Sequence, residues 1–143
     1  MIAVIILVAL LGLYLFGRER VGEGRKTLKI GSTKITVEIA DSLPEQIQGL
    51  SGKESLCANC GMLFVYPSAK FQTFWMKGMN FPLDIIFIRE NNILEIVENL
   101  PTRVLGQSIP TITSRFAADR VLEVNAGFVR RHKIKIKEEI EVK

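Results

Sequence analysis

Apolar residues run unbroken at the start of the chain, then alternate, then alternate with interruptions. From Ile2 to Phe16 only Gly12 and Tyr14 break the apolar run, which stops at Gly17-Arg18. A helix hydrophobic on every face needs either a partner of equal size or a bilayer. As a helix the run spans about 24 Å against a hydrocarbon core of about 30 Å. Tyr14 at headgroup level and snorkelling Arg18 and Arg20 would cover the difference. No charged n-region precedes the run, and the bulky Tyr14, Leu15 and Phe16 sit where a signal peptidase needs small residues. A retained transmembrane anchor over 1–17 is therefore expected, followed by a polar linker over 18–26 and a domain over 27–143.

Within the domain the period becomes two. Leu28 and Ile30, then Ile35, Val37 and Ile39, alternate with polar residues around Gly31-Ser32, which predicts a hairpin. Ser42-Leu43-Pro44-Glu45 fits a capping box, with Leu43, Ile47 and Leu50 on one face of a short helix. Three runs rich in aromatic and β-branched residues, 61–66, 71–77 and 83–88, predict strands. Asn91-Asn92 predicts a turn, and 93–98 another strand. A long loop with at most one short strand is expected over 100–118, then a strand over 121–124. Asn125 is the expected N-cap of a second short helix through Phe128, Val129 and His132. Ile134/Ile136 and Ile140/Val142 predict a closing strand pair around Lys137-Glu138. Many short strands with two short helices predict a mainly β fold, a β-sandwich or partly open barrel, behind one N-terminal transmembrane helix.

Charge bears on partners. The net charge of +4 owes much to the linker, where Arg18, Arg20, Arg25 and Lys26 outnumber Glu19 and Glu23. The remaining basic residues are not interleaved with aromatics, so nucleic acid is excluded as a partner. Those linker cations place the domain in the cytoplasm by the positive-inside rule.

Candidate chemistry is sparse. Cys57-Ala58-Asn59-Cys60 can close as a loop-stapling disulfide, remain as two thiols, exchange thiols, or supply half a zinc site. With two Cys and one His in the whole chain, no closed zinc site is expected, and no cofactor. His132, among Arg130, Arg131 and Lys133, reads as a helix-terminal histidine meeting the dipole. Asp84 and Glu123 each interrupt a strongly apolar strand. Either they face water, or they share one face near Trp75 and Lys77 and form a polar spot in an aromatic-walled cleft. In the second case they are ligand-binding residues or an acid/base pair, and a pair demands one common pocket.

Gly61-Met62-Leu63-Phe64, Phe74-Trp75-Met76-Lys77, 82–88 (Pro-Leu-Asp-Ile-Ile-Phe-Ile) and 121–128 (Val-Leu-Glu-Val-Asn-Ala-Gly-Phe) occur in the order and spacing of one family. The chain resembles the Domain of Unknown Function 192 family over essentially all of 27–143. The resemblance implies a compact, mainly β fold, commonly behind a secretory or anchoring segment and thus outside the cytoplasm; it implies no activity. Gly78-Met79 stands where the family commonly has Asn-Thr, which weakens a polar site at that loop, and Lys137-Glu138 replaces a usual Gly-Asp turn. The function expected on these grounds is a non-catalytic module at the cell envelope, with a small ligand, glycan or envelope protein as partner. The alternatives are an enzyme using Asp84 and Glu123, and a thiol or metal role for Cys57 and Cys60.

Overall fold

A computed structural model describes residues 24–143. The expected anchor over 1–17 and most of the linker lie outside the described residues. Among the described residues no helix is long and apolar enough to cross a membrane.

Alternation produces the first hairpin: β1 (Arg25–Ile30) pairs antiparallel with β2 (Thr33–Ala40) across Gly31-Ser32. Gly31 has φ 56°, a left-handed value that costs glycine nothing and suits a two-residue turn. Helix α1 (Leu43–Gln48) follows, with Pro44 in its first turn and the Glu45 carboxylate accepting from the Ser42 backbone N–H at 3.0 Å and its hydroxyl at 2.7 Å. This helix serves a crossover, because β2 runs parallel to β3 (Cys60–Lys70), and parallel neighbours need a long connection. The chain continues through β4 (Thr73–Trp75), β5 (Leu83–Arg89), β6 (Asn92–Leu100), β7 (Thr111–Thr113), β8 (Ala118–Asn125), α2 (Phe128–His132) and β9 (Ile140–Val142).

Seven strands form one sheet in the order β6-β5-β8-β3-β2-β1-β9, while β4 and β7 make a separate two-stranded ribbon. The sheet curls into a half-barrel, so two full sheets do not face each other and the sandwich alternative falls. Its outer strands meet at one end: Ile93 N–H donates to Glu138 C=O at 3.0 Å, Lys137 N–H to Ile93 C=O at 2.8 Å, and Ile140 N–H to Asn91 C=O at 2.8 Å.

Both faces of the sheet are covered, which is why β5 is buried from Leu83 to Ile88. The inner face holds Ile35, Val37, Leu63, Ile86 and Leu122, plugged by Phe128 and Val129 of α2. On the outer face Phe64, Ile85, Phe87 and Val121 pack under Phe74 of the ribbon and Leu50. Each fully buried Leu, Ile or Phe side chain contributes about 1.5–3 kcal/mol.

Several local expectations fail. Leu43 and Ile47 are 69% and 63% exposed, and Leu50 alone of that trio is buried. Periodicity found an apolar stripe, but α1 is too short to lay it on the sheet. Gly127, at φ 81°, precedes α2 in the N-cap position instead of Asn125; the Asn125 amide donates to the carbonyls of Leu56 and Cys57, both at 3.0 Å. The turn before β6 is Glu90-Asn91, with Glu90 at φ 55°. Residues 134–136 form no strand, because Lys133 and Lys137 adopt φ 55° and 73° and turn the chain so that Ile134 enters the inner core.

Candidate functional site

Strand β8 lies between β5 and β3, and its alternation sends Leu122 and Val124 inward, Val121 and Glu123 outward. Directly across from Glu123 stand Met62 on β3 and Ile85 on β5, so a carboxyl sits in an apolar row. Close strand approach is required here: a Cβ on Gly61 would lie 2.7 Å from the Glu123 carbonyl oxygen. The ribbon β4–β7 and the loop after α1 roof this row but leave a cavity of about 70 Å³. Phe64, Tyr66, Phe74 and Trp75 wall it, residues 46–51 at the end of α1 with Thr73 and Met79 complete the lining, and Glu123 is on the floor. Phe64 and Phe74 meet edge to face at 5.0 Å between ring centroids. Gly49, at φ 50°, brings the end of α1 against the Phe64 ring, where a Cβ would come within 3.3 Å.

Three carboxylates are buried among the described residues, and their surroundings differ. Asp84 accepts from the backbone N–H groups of Asn99 and Val129, each at 2.9 Å, so it satisfies a kink in β6 and an open donor of α2. Glu95 accepts from the Arg115 backbone N–H at 2.7 Å and its Nε at 2.9 Å. Glu123 is 6% exposed and accepts a hydrogen bond from no described residue. Burial without a partner disfavours the charged form, and its pKa is pushed up to about 8. Tyr66 is pushed up to about 12, first by burial and then by the Glu123 charge.

Of the residues singled out from sequence, the structure brings Trp75 and Glu123 to one cavity. Lys77 stands outside it, its Nζ 5.4 Å from the centroid of the Trp75 ring. Asp84 is on the opposite face: its register partner is Val124, an inner-face residue, whereas Ile85 pairs with Glu123. An acid/base pair of Asp84 and Glu123 is therefore ruled out by facing. Cys57 and Cys60 form a disulfide that leads into β3, which leaves neither thiol for exchange in this state. No cluster of three metal-ligating side chains occurs among the described residues. His132 packs on the Phe128 ring at 4.2 Å, away from the cavity.

Sequence reasoning missed Tyr66, Phe64 and Phe74 as cavity walls. The available signal was the step of two from Met62 through Phe64 to Tyr66, which puts all three on one face. Chemically the site offers one uncommitted carboxyl and four aromatic rings. Of its hydroxyls, Ser51 donates to the Lys77 carbonyl at 2.7 Å and Thr73 pairs with Thr113 at 2.9 Å, while that of Tyr66 has no partner among the described residues.

Fold and site together define a small mainly β domain, a curled half-barrel with one aromatic cavity over a buried acid. The chain belongs to the DUF192 family, described as "Uncharacterized ACR", whose profile matches residues 26–142. A crystal structure of a Sinorhizobium meliloti protein, provisionally described as a transcription regulator, is similar at a TM-score of 0.73 and 32% identity, covering 82% of this chain and 92% of that one. A protein of unknown function from Novosphingobium aromaticivorans is similar at a TM-score of 0.68 and 28% identity, covering 82% of this chain and 83% of its own. No curated protein matches the chain significantly.

Proposed function

We propose that the domain is a non-catalytic binding module that receives one terminal group of a larger ligand in the cavity over Glu123. The observation that carries this reading is a carboxyl 6% exposed, with no donor from any described residue, on the floor of an aromatic-walled space. The Glu123 oxygens open onto the cavity and are not sealed from solvent, so a bound group would replace water as their hydrogen-bond partner. At about 70 Å³ the space is well below the roughly 300–1,000 Å³ of pockets that enclose whole ligands. The body of the ligand would rest outside, against the exposed Trp75 and Ile47. Binding is favoured over catalysis because the other titratable side chain in the lining is Tyr66, whose hydroxyl at about 12 is a poor proton shuttle near neutral pH. The chain has a single tryptophan, so its emission reports on the rim. Titrating the protein with fragment amines, alcohols, amides and carboxylates should find one class that shifts Trp75 emission and is recovered unchanged. Chemical turnover of a fragment, or binding confined to other surfaces, would overturn the reading.

In the same reading, 1–17 is a membrane anchor and the domain sits on the oxidising side at the cell envelope. The apolar run supports the anchor, and the Cys57–Cys60 bridge supports the compartment, since cytosolic thiols stay reduced. Arg18, Arg20, Arg25 and Lys26 argue for the other side. A small ligand, a glycan or an envelope protein would be the partner.

A further inference from the structure

We infer that the cavity is a cation site, in which Glu123 and the aromatic walls take the protonated amine at the end of a ligand, an alkylammonium group. The inference rests on the binding reading above and names its ligand class. Three observations carry it. First, the cavity sets the Glu123 carboxyl among four aromatic side chains. Its side-chain donors include the neutral Tyr66 hydroxyl and the Gln46 and Gln48 amides, which already donate to the Ala40, Val65 and Ser51 carbonyls. The Glu123 oxygens have no partner among the described residues, and the Ser51 and Thr73 hydroxyls are engaged with Lys77 and Thr113. An anion would meet no positive charge in the lining, whereas aromatic rings and a carboxylate both attract a cation. Second, no basic side chain lines the space, and Lys77 already rests over the Trp75 ring at 5.4 Å. That ring therefore holds a cation of its own chain outside the cavity. Third, about 70 Å³ is room for about two water-sized groups, which suits an ammonium head and the first carbons of its stem.

Entry of the cation has a proton balance. Near neutral pH most of Glu123 carries its proton, since its pKa is about 8. Binding of an alkylammonium then leaves a carboxylate paired with the intact ammonium group and releases the carboxyl proton to solvent. At pH 7 the release is about 0.9 proton per site, and affinity rises roughly tenfold per pH unit until it flattens above about pH 8. Tyr66, the other titratable group in the lining, is pushed up to about 12 and stays neutral over this range. An alkylammonium ionises like lysine, near about 10.4, and keeps its charge.

The test uses the full chain in neutral detergent, with n-butylammonium as probe, 1-pentanol as its uncharged counterpart, and Nα-acetyl-lysine amide as the polypeptide source of the same group. Trp75 emission and calorimetry in two buffers of different ionisation enthalpy are read at pH 6, 7, 8 and 9. Butylammonium should bind with proton release and with affinity rising toward pH 8. Glu123→Gln should lower affinity at least tenfold at pH 8 and abolish both the release and the pH dependence. A stronger response to the lysine derivative assigns the site to a protein partner, and a stronger response to the free amine assigns it to a small molecule; both support the inference. Equal binding of pentanol and butylammonium without proton release would overturn the cation inference and leave the binding reading standing. If neither probe, nor any uncharged or anionic fragment, reached Trp75, both would fall. Circular dichroism of Glu123→Gln checks that its loss of binding is not loss of fold.

Discussion

Replacing Glu123 by glutamine should alter the pH dependence of stability more clearly than stability at any one pH. In an unfolded chain this carboxyl titrates at the ordinary 4.5, whereas in the fold it titrates at about 8. Between those values the folded state binds a proton that the unfolded state has released. Unfolding free energy therefore falls as pH rises, by about 1.4 kcal/mol per unit when the difference is complete. The contribution is fully present below the unfolded value and is lost as pH climbs through the folded one. Across the whole window the loss is on the order of 4 kcal/mol, a large share of the roughly 5–15 kcal/mol that holds a domain together. Glutamine keeps the shape and carries no titrating proton. Urea unfolding of both proteins, at intervals from about pH 5 to pH 9, isolates the residue, because other groups cancel in the difference. Wild-type stability should decline relative to Glu123→Gln up to about pH 8 and then level off. A difference flat to within about 0.5 kcal/mol would refute the reasoning. Glu123 would then be ionised in the fold, with a partner or water that its surroundings do not display.

Two further outcomes separate the structural acid and the compartment from the cavity. Asp84→Ala deprives the Asn99 and Val129 N–H groups of their acceptor and should cost about 2–6 kcal/mol, at roughly 1–3 kcal/mol for each stranded group. Because Asp84 faces the inner core, the response of Trp75 to bound probe should survive; loss of that response with stability intact would return Asp84 to the site. In intact cells, an impermeant maleimide should label Cys57 and Cys60 only after an impermeant reductant. Labelling that instead requires permeabilisation, and no reductant, would place the domain in the cytoplasm with free thiols.

The first hairpin was legible because Leu28, Ile30, Ile35 and Val37 alternate cleanly around Gly31-Ser32. Asp84 and Glu123 were not separable, for a physical reason. Both sheet faces are apolar, so β5 reads as a continuous hydrophobic run and alternation does not say which face a charge takes. Only the β5–β8 register, an interaction between strands almost forty positions apart, puts Ile85 and not Asp84 opposite Glu123. Asn125 suits an N-cap by composition, yet its amide is drawn to the carbonyls of Leu56 and Cys57, which no local rule anticipates. Trp75 was legible as a candidate, whereas the roof that makes its neighbourhood a cavity depends on β4 meeting β7 across a long loop.

The stitching between β6 and the segment before β9 bears on how the molecule meets its own copies. An open sheet presents two rows of unpaired backbone groups, each a template on which another chain can add a strand. Here the two outermost strands spend part of those rows on each other, through Asn91, Ile93, Lys137, Glu138 and Ile140. Closure comes late in synthesis, since β9 follows every other described strand and pairs with β1, the first of them. Until the ribosome has delivered β9, both borders of the sheet stay open. The hazard of association between copies is thus concentrated in the nascent chain, and the finished domain seals part of it with its own ninth strand.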